Sequence, residues 1–156
     1  MVDGMTAQTT SPLFLNDPVY RPLPLGKVRP DGWLKRQLRI QADGLSGHLD
    51  EFWPDIAKSK WFGGNAEGWE RAPYWLDGFI PLAYLLDDAA LIERANARMD
   101  YIIDHQREDG WLGPEDVERD VWPLFLIVKS LLQYAEASGS ERPIQAADRL
   151  LHRIDR

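Results

Sequence analysis

The chain has 156 residues, of which 44% are hydrophobic and 11% aromatic, so it can bury a core of ordinary domain size and is not a disordered polymer. Its net charge of −7 and the lack of a basic run exclude a phosphate-tracking surface, so we expect no nucleic-acid partner. It has no cysteine, which excludes disulfides, zinc–thiolate sites and a cysteine nucleophile within these residues.

The N-terminal segment 1–30 is predicted to be an extended arm, because it holds five prolines, which remove backbone donors and fix φ. It has no charged start followed by an apolar run, so it does not resemble a signal peptide, and we expect a cytoplasmic protein. The longest apolar stretch, 121–128, has eight residues. A membrane span needs roughly 20, so no membrane partner is expected.

The first helix is predicted over residues 31–45, where four apolar residues recur at helical spacing: Trp33, Leu34, Leu38 and Leu45. Residues 74–86 are apolar nearly all round, which predicts a helix buried on most sides and bent at Pro81. Asp87 and Asp88 then offer an N-cap for a half-exposed helix that ends near Arg107. Its apolar stripe consists of Leu91, Ile92, Ala95, Met99, Ile102 and Ile103.

The same two steps then recur about 50 residues later. Asp120 is a plausible cap, Pro123 falls in the first turn, and residues 121–137 form a second almost wholly apolar helix. The next stripe repeats the earlier one at a constant offset of 52 and consists of Ile144, Ala147, Leu151 and Ile154. This self-similarity predicts an all-α repeat of helical hairpins. Buried and half-exposed helices alternate, which favours a closed toroid over an open solenoid.

Two long connections, residues 46–72 and 108–120, each precede a buried helix, so in such an alternation they meet at one end of the fold. They carry, or adjoin, five of the seven tryptophans, together with Asp, Glu and His side chains. Flat indoles beside carboxylates and imidazoles are typical of a sugar pocket. The alternative, given equal weight for any one tryptophan, is packing beneath the loop as part of the core.

Several polar residues have a structural and a functional interpretation. Glu70 either forms a loop salt bridge with Arg71 or accepts sugar hydroxyls. Asp77, on a buried helix, either binds a backbone amide of the long loop or has a functional task. We expect His105 to have a structural role at a helix end, and Asp109-Gly110 to terminate that helix. No metal site and no catalytic carboxylate pair is assigned to this chain.

Several motifs resemble glycoside hydrolase family 127, the β-L-arabinofuranosidase-type enzymes. The most specific is GWERAPYWLDG at 68–78, and the match runs from about residue 20 to the C-terminus. The others are PLPLG at 22–26, GWL at 32–34, GHLD at 47–50 and QREDGWLGP at 106–114.

The resemblance implies an (α/α)6 toroid, of which residues 31–156 supply one lone helix and two hairpins. It also implies that the catalytic acid/base glutamate and a zinc-bound cysteine nucleophile belong to later helices of a longer parent. We therefore expect an N-terminal fragment of a glycoside hydrolase, inactive alone, whose partners are a carbohydrate and the remaining helices of the parent domain.

The residues predicted to line one side of the carbohydrate pocket are His48, Trp69, Glu70, Tyr74, Asp109, Trp111 and Trp122. The alternative function is a non-enzymatic helical-repeat scaffold whose tryptophan-rich end binds a protein or peptide.

Overall fold

The computed structural model describes residues 19–117 and 120–155, and within them all regular secondary structure is helical. The all-α prediction is thus confirmed for this part of the chain. The helices are α1 (Gly32–Asp43), α2 (Leu45–Phe52), α3 (Pro54–Ala57), α4 (Arg71–Leu86), α5 (Ala89–Asp104), α6 (Trp122–Ser138) and α7 (Arg142–Ile154), with short 3-10 helices at Lys60–Phe62 and Glu115–Val117. Of the predicted arm, residues 1–18 lie outside the described residues, and residues 19–30 form no helix.

Helix α4 is the centre of the core, because it contacts α1, α2, α3, α5 and α6. Trp75 and Phe79 stack with their ring centroids 4.5 Å apart, and Leu76 and Ile80 are fully buried. The predicted buried helix therefore exists, with Pro81 inside it. Tight turns join α4 to α5 and α6 to α7, which gives the two predicted hairpins.

Helix α5 follows the prediction at its start and departs from it at its end. The Asp88 carboxylate accepts hydrogen bonds from the Ala90 and Leu91 amides, as expected of an N-cap. The helix ends at Asp104, not near Arg107, and Asp109-Gly110 does not terminate it. Gly110 has a φ of +92° in a separate turn, where its amide binds the Arg107 carbonyl.

The predicted long loop 46–72 is largely helical, which corrects the sequence-based expectation. It contains α2, α3 and a 3-10 helix, and Pro54 separates α2 from α3 by occupying the first turn of α3. Helix α2 is held by Asp50, whose 6% exposed carboxylate forms ion pairs with Arg94 and Arg98 on α5. This tertiary contact stabilises a short helix whose sequence lacks a clear apolar period.

Three helices expose apolar faces that were expected to be buried. On α1, Leu38 packs against the core, whereas Trp33 and Leu34 are exposed. Leu45, which lies beyond the end of α1, is exposed as well. Helix α6 is buried on one side only, and Trp122, Phe125 and Leu132 share its exposed side. On α7 the buried stripe is Pro143, Ala146, Ala147 and Leu150, whereas Ile144 and Leu151 of the predicted stripe are each 45% exposed.

Candidate functional site

The starts of α4 and α6 lie side by side, joined by two reciprocal hydrogen bonds between indoles and carboxylates. Trp69 Nε1 donates to Asp120 Oδ2 over 2.7 Å, and Trp122 Nε1 donates to Glu70 Oε2 over 2.7 Å. We call these four residues the helix-start cluster. The bonds join the two connections 46–72 and 108–120, so the prediction that both lie at the same end of the fold is confirmed.

The local sequence explains why both carboxylates occupy this position. Glu70 directly precedes α4, and its amide donates to Glu67 Oε1 over 3.0 Å. Asp120 lies two residues before Trp122, the first residue of α6, and accepts that residue's backbone N–H over 3.0 Å. Unpaired amides and the positive end of the helix dipole favour a carboxylate at such a position.

The two indoles of the helix-start cluster are half exposed. Trp69 is 46% and Trp122 50% exposed, so each ring keeps surface for a ligand while its N–H is bonded to a carboxylate. A carboxylate held in this way still has lone pairs to accept hydroxyl donors. The cluster therefore combines apolar ring surface with fixed hydrogen-bond acceptors, the combination that sugar rings require.

A cleft of about 430 Å³ opens between α4 and the segment that runs from α1 to Trp53. We call it the α4 cleft. It is lined by Gln41, Ser46, Leu49, Trp53, Arg71, Tyr74, Trp75, Gly78 and Phe79. Arg71, one of the lining residues, directly follows Glu70 of the cluster in sequence. The Arg71 guanidinium pairs with Asp55 and lies 5.3 Å from the centroid of the Trp53 ring.

Five of the predicted site residues have clear positions in this arrangement. Trp69, Glu70 and Trp122 form the helix-start cluster with Asp120, and 47% exposed Tyr74 lines the α4 cleft. Trp111 does not join them: it is 2% exposed, and its indole donates to the Gly113 carbonyl. Trp111 is a core residue in this structure and is not part of the candidate site.

His48 and Asp109 are both surface residues outside the helix-start cluster. His48 Nδ1 lies 2.9 Å from Glu51 Oε1 on the same helix. Asp109 accepts the Trp111 amide and pairs with Arg107 and Arg153. The Trp111 amide, followed by Arg153, lowers the pKa of the Asp109 carboxyl. These contacts give Asp109 a structural task in the turn after α5.

Glu70 and Asp77 each have a partner that neither sequence-based interpretation had named. Glu70 does not pair with Arg71, whose partner is Asp55, but binds the Trp122 indole. The Asp77 carboxylate does not accept a hydrogen bond from a loop amide, and it is not left unpaired for a functional task. It accepts from Lys129 Nζ and Gln133 Nε2, each over 2.9 Å, and so connects α4 to α6. His105 has the expected structural role, because its ring stacks on Tyr101 at 3.9 Å and its Nδ1 lies 2.8 Å from the Tyr101 carbonyl oxygen.

The wall of the cleft opposite α4 was not predicted from the sequence. Ser46, Trp53 and Asp55 fell within the predicted loop 46–72 without a role in the site, and Gln41 was not singled out. A signal was available in the run Trp53-Pro54-Asp55, where proline and an acidic residue follow a potential cap as at a helix start. Among residues 19–117 and 120–155, no three His, Asp or Glu side chains are grouped so that they could hold a metal ion.

Comparisons with protein-family models, with curated proteins and with solved structures find no match to this chain. Within the described parts of the chain, no helix has both the length and the apolar character needed to cross a bilayer.

Proposed function

We propose that the chain is the N-terminal part of a glycoside hydrolase resembling the β-L-arabinofuranosidases, and that the helix-start cluster forms one side of its carbohydrate pocket. The observation that carries the proposal is the convergence of Trp69, Glu70, Asp120 and Trp122 at one end, with half-exposed rings and paired carboxylates. The α4 cleft lies along the helix that starts at this cluster. The motif at 68–78 supplies the likeness to the family.

The fold that we propose for the parent is an (α/α)6 toroid in which α4 and α6 are neighbouring inner helices. Two features support it. The inner helices start at the same end, and below Trp122 α6 carries an exposed apolar side with Phe125 and Leu132, which a further hairpin would cover. The catalytic acid/base, the nucleophile and any zinc ligands would belong to later helices, so no residue of this chain is assigned to them.

Calorimetric titration of the chain with methyl β-L-arabinofuranoside and with an arabinofuranose disaccharide tests the proposal. Because only one side of the pocket is present, we expect weak saturable binding, with a Kd of about 1 mM. Trp122→Phe should weaken binding at least about fivefold, because it removes ring surface and the hydrogen bond to Glu70. Trp33→Phe is the matched control, since Trp33 is also exposed but lies on α1.

Absence of binding heat with either sugar, or an equal loss in both variants, contradicts the proposal. We also expect no hydrolysis of a nitrophenyl arabinofuranoside by this chain, and measurable turnover would contradict the assignment of the catalytic groups to later helices. Saturable binding of a peptide at the same tryptophans, without sugar binding, would favour the helical-repeat scaffold instead.

A further inference from the structure

Gly78, on the wall of the α4 cleft, is a helical glycine that no structural requirement explains. A glycine inside a helix costs stability relative to alanine, and apart from the neighbouring backbone of α4 nothing lies within 4 Å of its Cβ position. Gly47, inside α2, is different, because a Cβ there would lie 1.8 Å from the Ala42 carbonyl oxygen. Close packing therefore requires Gly47, whereas Gly78 leaves space open in the cleft that it lines.

Two contacts join α4 to the opposite wall and hold the α4 cleft in shape. The Trp75 indole donates to the Ser46 carbonyl over 2.9 Å, and Arg71 at the start of α4 pairs with Asp55 on α3. The cleft is therefore preformed. Its volume of about 430 Å³ lies within the range of roughly 300–1,000 Å³ that is typical of small-molecule sites.

Aromatic rings supply most of the apolar wall of the cleft. Trp53, Tyr74, Trp75 and Phe79 line it, and Leu49 is the one aliphatic side chain among its described lining residues. Tyr74 is 47% exposed, so part of its surface remains accessible to a ligand. Aromatic rings attract one another in offset-stacked or edge-to-face arrangements beyond the effect of burial. This wall therefore favours a flat aromatic ring over an aliphatic chain.

Arg71 alone carries a charge among the described residues that line the cleft. Its guanidinium is positioned from two sides, because Nη1 donates to Asp55 and the group lies 5.3 Å from the centroid of the Trp53 ring. Within the described parts of the chain, its Nε and Nη2 donate to no side chain. A guanidinium offers five donors in a fixed fork that matches a carboxylate. The cleft thus combines a ring-binding wall with a donor for an anionic group.

We propose that the α4 cleft binds an aromatic carboxylate of one or two rings, with the ring against Tyr74 and Trp75 and the carboxylate on Arg71. The space left open at Gly78 admits the ring. This inference goes beyond the proposed function, because it rests on the cleft and not on the helix-start cluster. Binding of such a ligand without sugar binding would support it and contradict the proposed function, and the reverse result would contradict it alone.

Calorimetric titration with 2-naphthoate, which has two fused rings and one carboxylate, tests the proposal. We expect saturable binding with a Kd below about 1 mM. The alcohol 2-naphthylmethanol keeps the rings without the charge, and decanoate keeps the charge on an aliphatic chain. Each should bind at least about fivefold more weakly than 2-naphthoate. No saturation by 2-naphthoate at about 10 mM, or equal affinity for decanoate, would overturn the proposal.

A side chain at position 78 tests whether the ligand occupies the cleft. Gly78→Leu should weaken the binding of 2-naphthoate and of the alcohol at least about tenfold, because leucine fills the open space. Helix content and the urea midpoint should not fall, since leucine favours the helix over glycine. Ala97→Leu, at an exposed position of α5, is the matched control and should bind like wild type. Binding of 2-naphthoate by Gly78→Leu at the wild-type affinity would overturn the proposed location.

Removal of the guanidinium tests the place of the carboxylate. Arg71→Gln should lower the affinity for 2-naphthoate at least about fivefold and leave that for 2-naphthylmethanol within about twofold. The unchanged affinity for the alcohol would show that the cleft keeps its shape without the Asp55 pair. Arg36→Gln removes the same charge from an exposed position on α1 and should alter neither affinity. If Arg71→Gln changes both affinities by the same factor, the proposed contact with the carboxylate is wrong.

Discussion

Gly113, in the connection 108–120, and Gly78, in the α4 cleft, differ in what a side chain would meet there. Gly113 has a φ of +111°, and a Cβ on it would lie 2.5 Å from the ring of buried Trp61. Gly78 lies inside α4 on the wall of the cleft, and nothing is within 4 Å of its Cβ position. The first glycine is therefore required by the backbone and by close packing, and the second is required by neither.

We predict opposite effects of alanine at these two positions. Gly78→Ala should raise the free energy of unfolding by about 0.5–1 kcal/mol, because alanine favours the helix and fits the open space. Gly113→Ala should lower it by more than about 1 kcal/mol, through backbone strain and contact with Trp61. Urea denaturation of the two variants measures both values. Two changes of the same sign would contradict the packing described here.

Burial of individual tryptophans could not be predicted from the local sequence. Trp111 and Trp122 each follow an aspartate by two residues, and in both cases that aspartate accepts the tryptophan amide, at 3.1 and 3.0 Å. Yet Trp111 is 2% and Trp122 50% exposed. The difference arises from the surroundings of the two rings, because Trp111 belongs to the buried core cluster whereas the Trp122 indole binds Glu70, 52 residues away, at the surface. From the sequence it could be predicted that the tryptophan-rich connections lie at one end of the fold, but not which of the rings are exposed.

At the level of the helices, two equivalent tyrosines fasten α4 and α6 to α5. Tyr84 and Tyr134 stand 50 residues apart in the repeat. The Tyr84 hydroxyl donates to Asn96 over 2.8 Å and the Tyr134 hydroxyl donates to Asp100 over 3.2 Å. Burial raises the pKa of both phenols, and the Asp100 charge raises the pKa of Tyr134 further. The neutral phenol is therefore the form that the folded state prefers.

This preference predicts a loss of stability at alkaline pH. The unfolded chain releases its tyrosine protons near pH 10, whereas the folded chain retains those of Tyr84 and Tyr134. The contribution of these groups is thus fully present below about pH 10 and decreases as the pH rises above that value. Tyr134→Phe should reduce the decrease, and Tyr20→Phe, at an 88% exposed position, should not. Urea denaturation midpoints measured between pH 8 and pH 11 report this loss of stability. An equal dependence of the midpoint on pH in the wild-type chain and in both variants would contradict the prediction.

Long periodic helices could be predicted from sequence, and the short helices α2 and α3 within the connection 46–72 could not. The stripe of α5 and its Asp88 cap were predicted because the period and the cap are local signals. Helix α2 was missed because Asp50 holds it through Arg94 and Arg98, far away in the chain. The burial of Ile144 and Leu151 was wrongly predicted because apolar period indicates a face suited to burial, and not whether a neighbour covers it.

For the whole molecule, the decisive feature is that α4 and α6 start at the same end, so that distant segments of sequence form one surface. Trp69 and Asp120 are 51 residues apart, and Glu70 and Trp122 are 52 apart. The hairpin repeat explains this, because equivalent helix starts fall at the same end of neighbouring units. The exposed apolar side of α6 is the second feature at this scale and supports the proposed toroid.

The most direct test of the carbohydrate site is the set of indole N–H signals in a proton–nitrogen correlation spectrum of the chain, which contains seven tryptophans. Trp69→Phe and Trp122→Phe assign the two indoles of the helix-start cluster by removing one signal each. On addition of the arabinofuranose disaccharide, we expect these two signals to shift and those of buried Trp61 and Trp111 to stay in place. A spectrum in which neither the Trp69 nor the Trp122 signal moves at saturating sugar would contradict the proposal that this end of the fold binds carbohydrate.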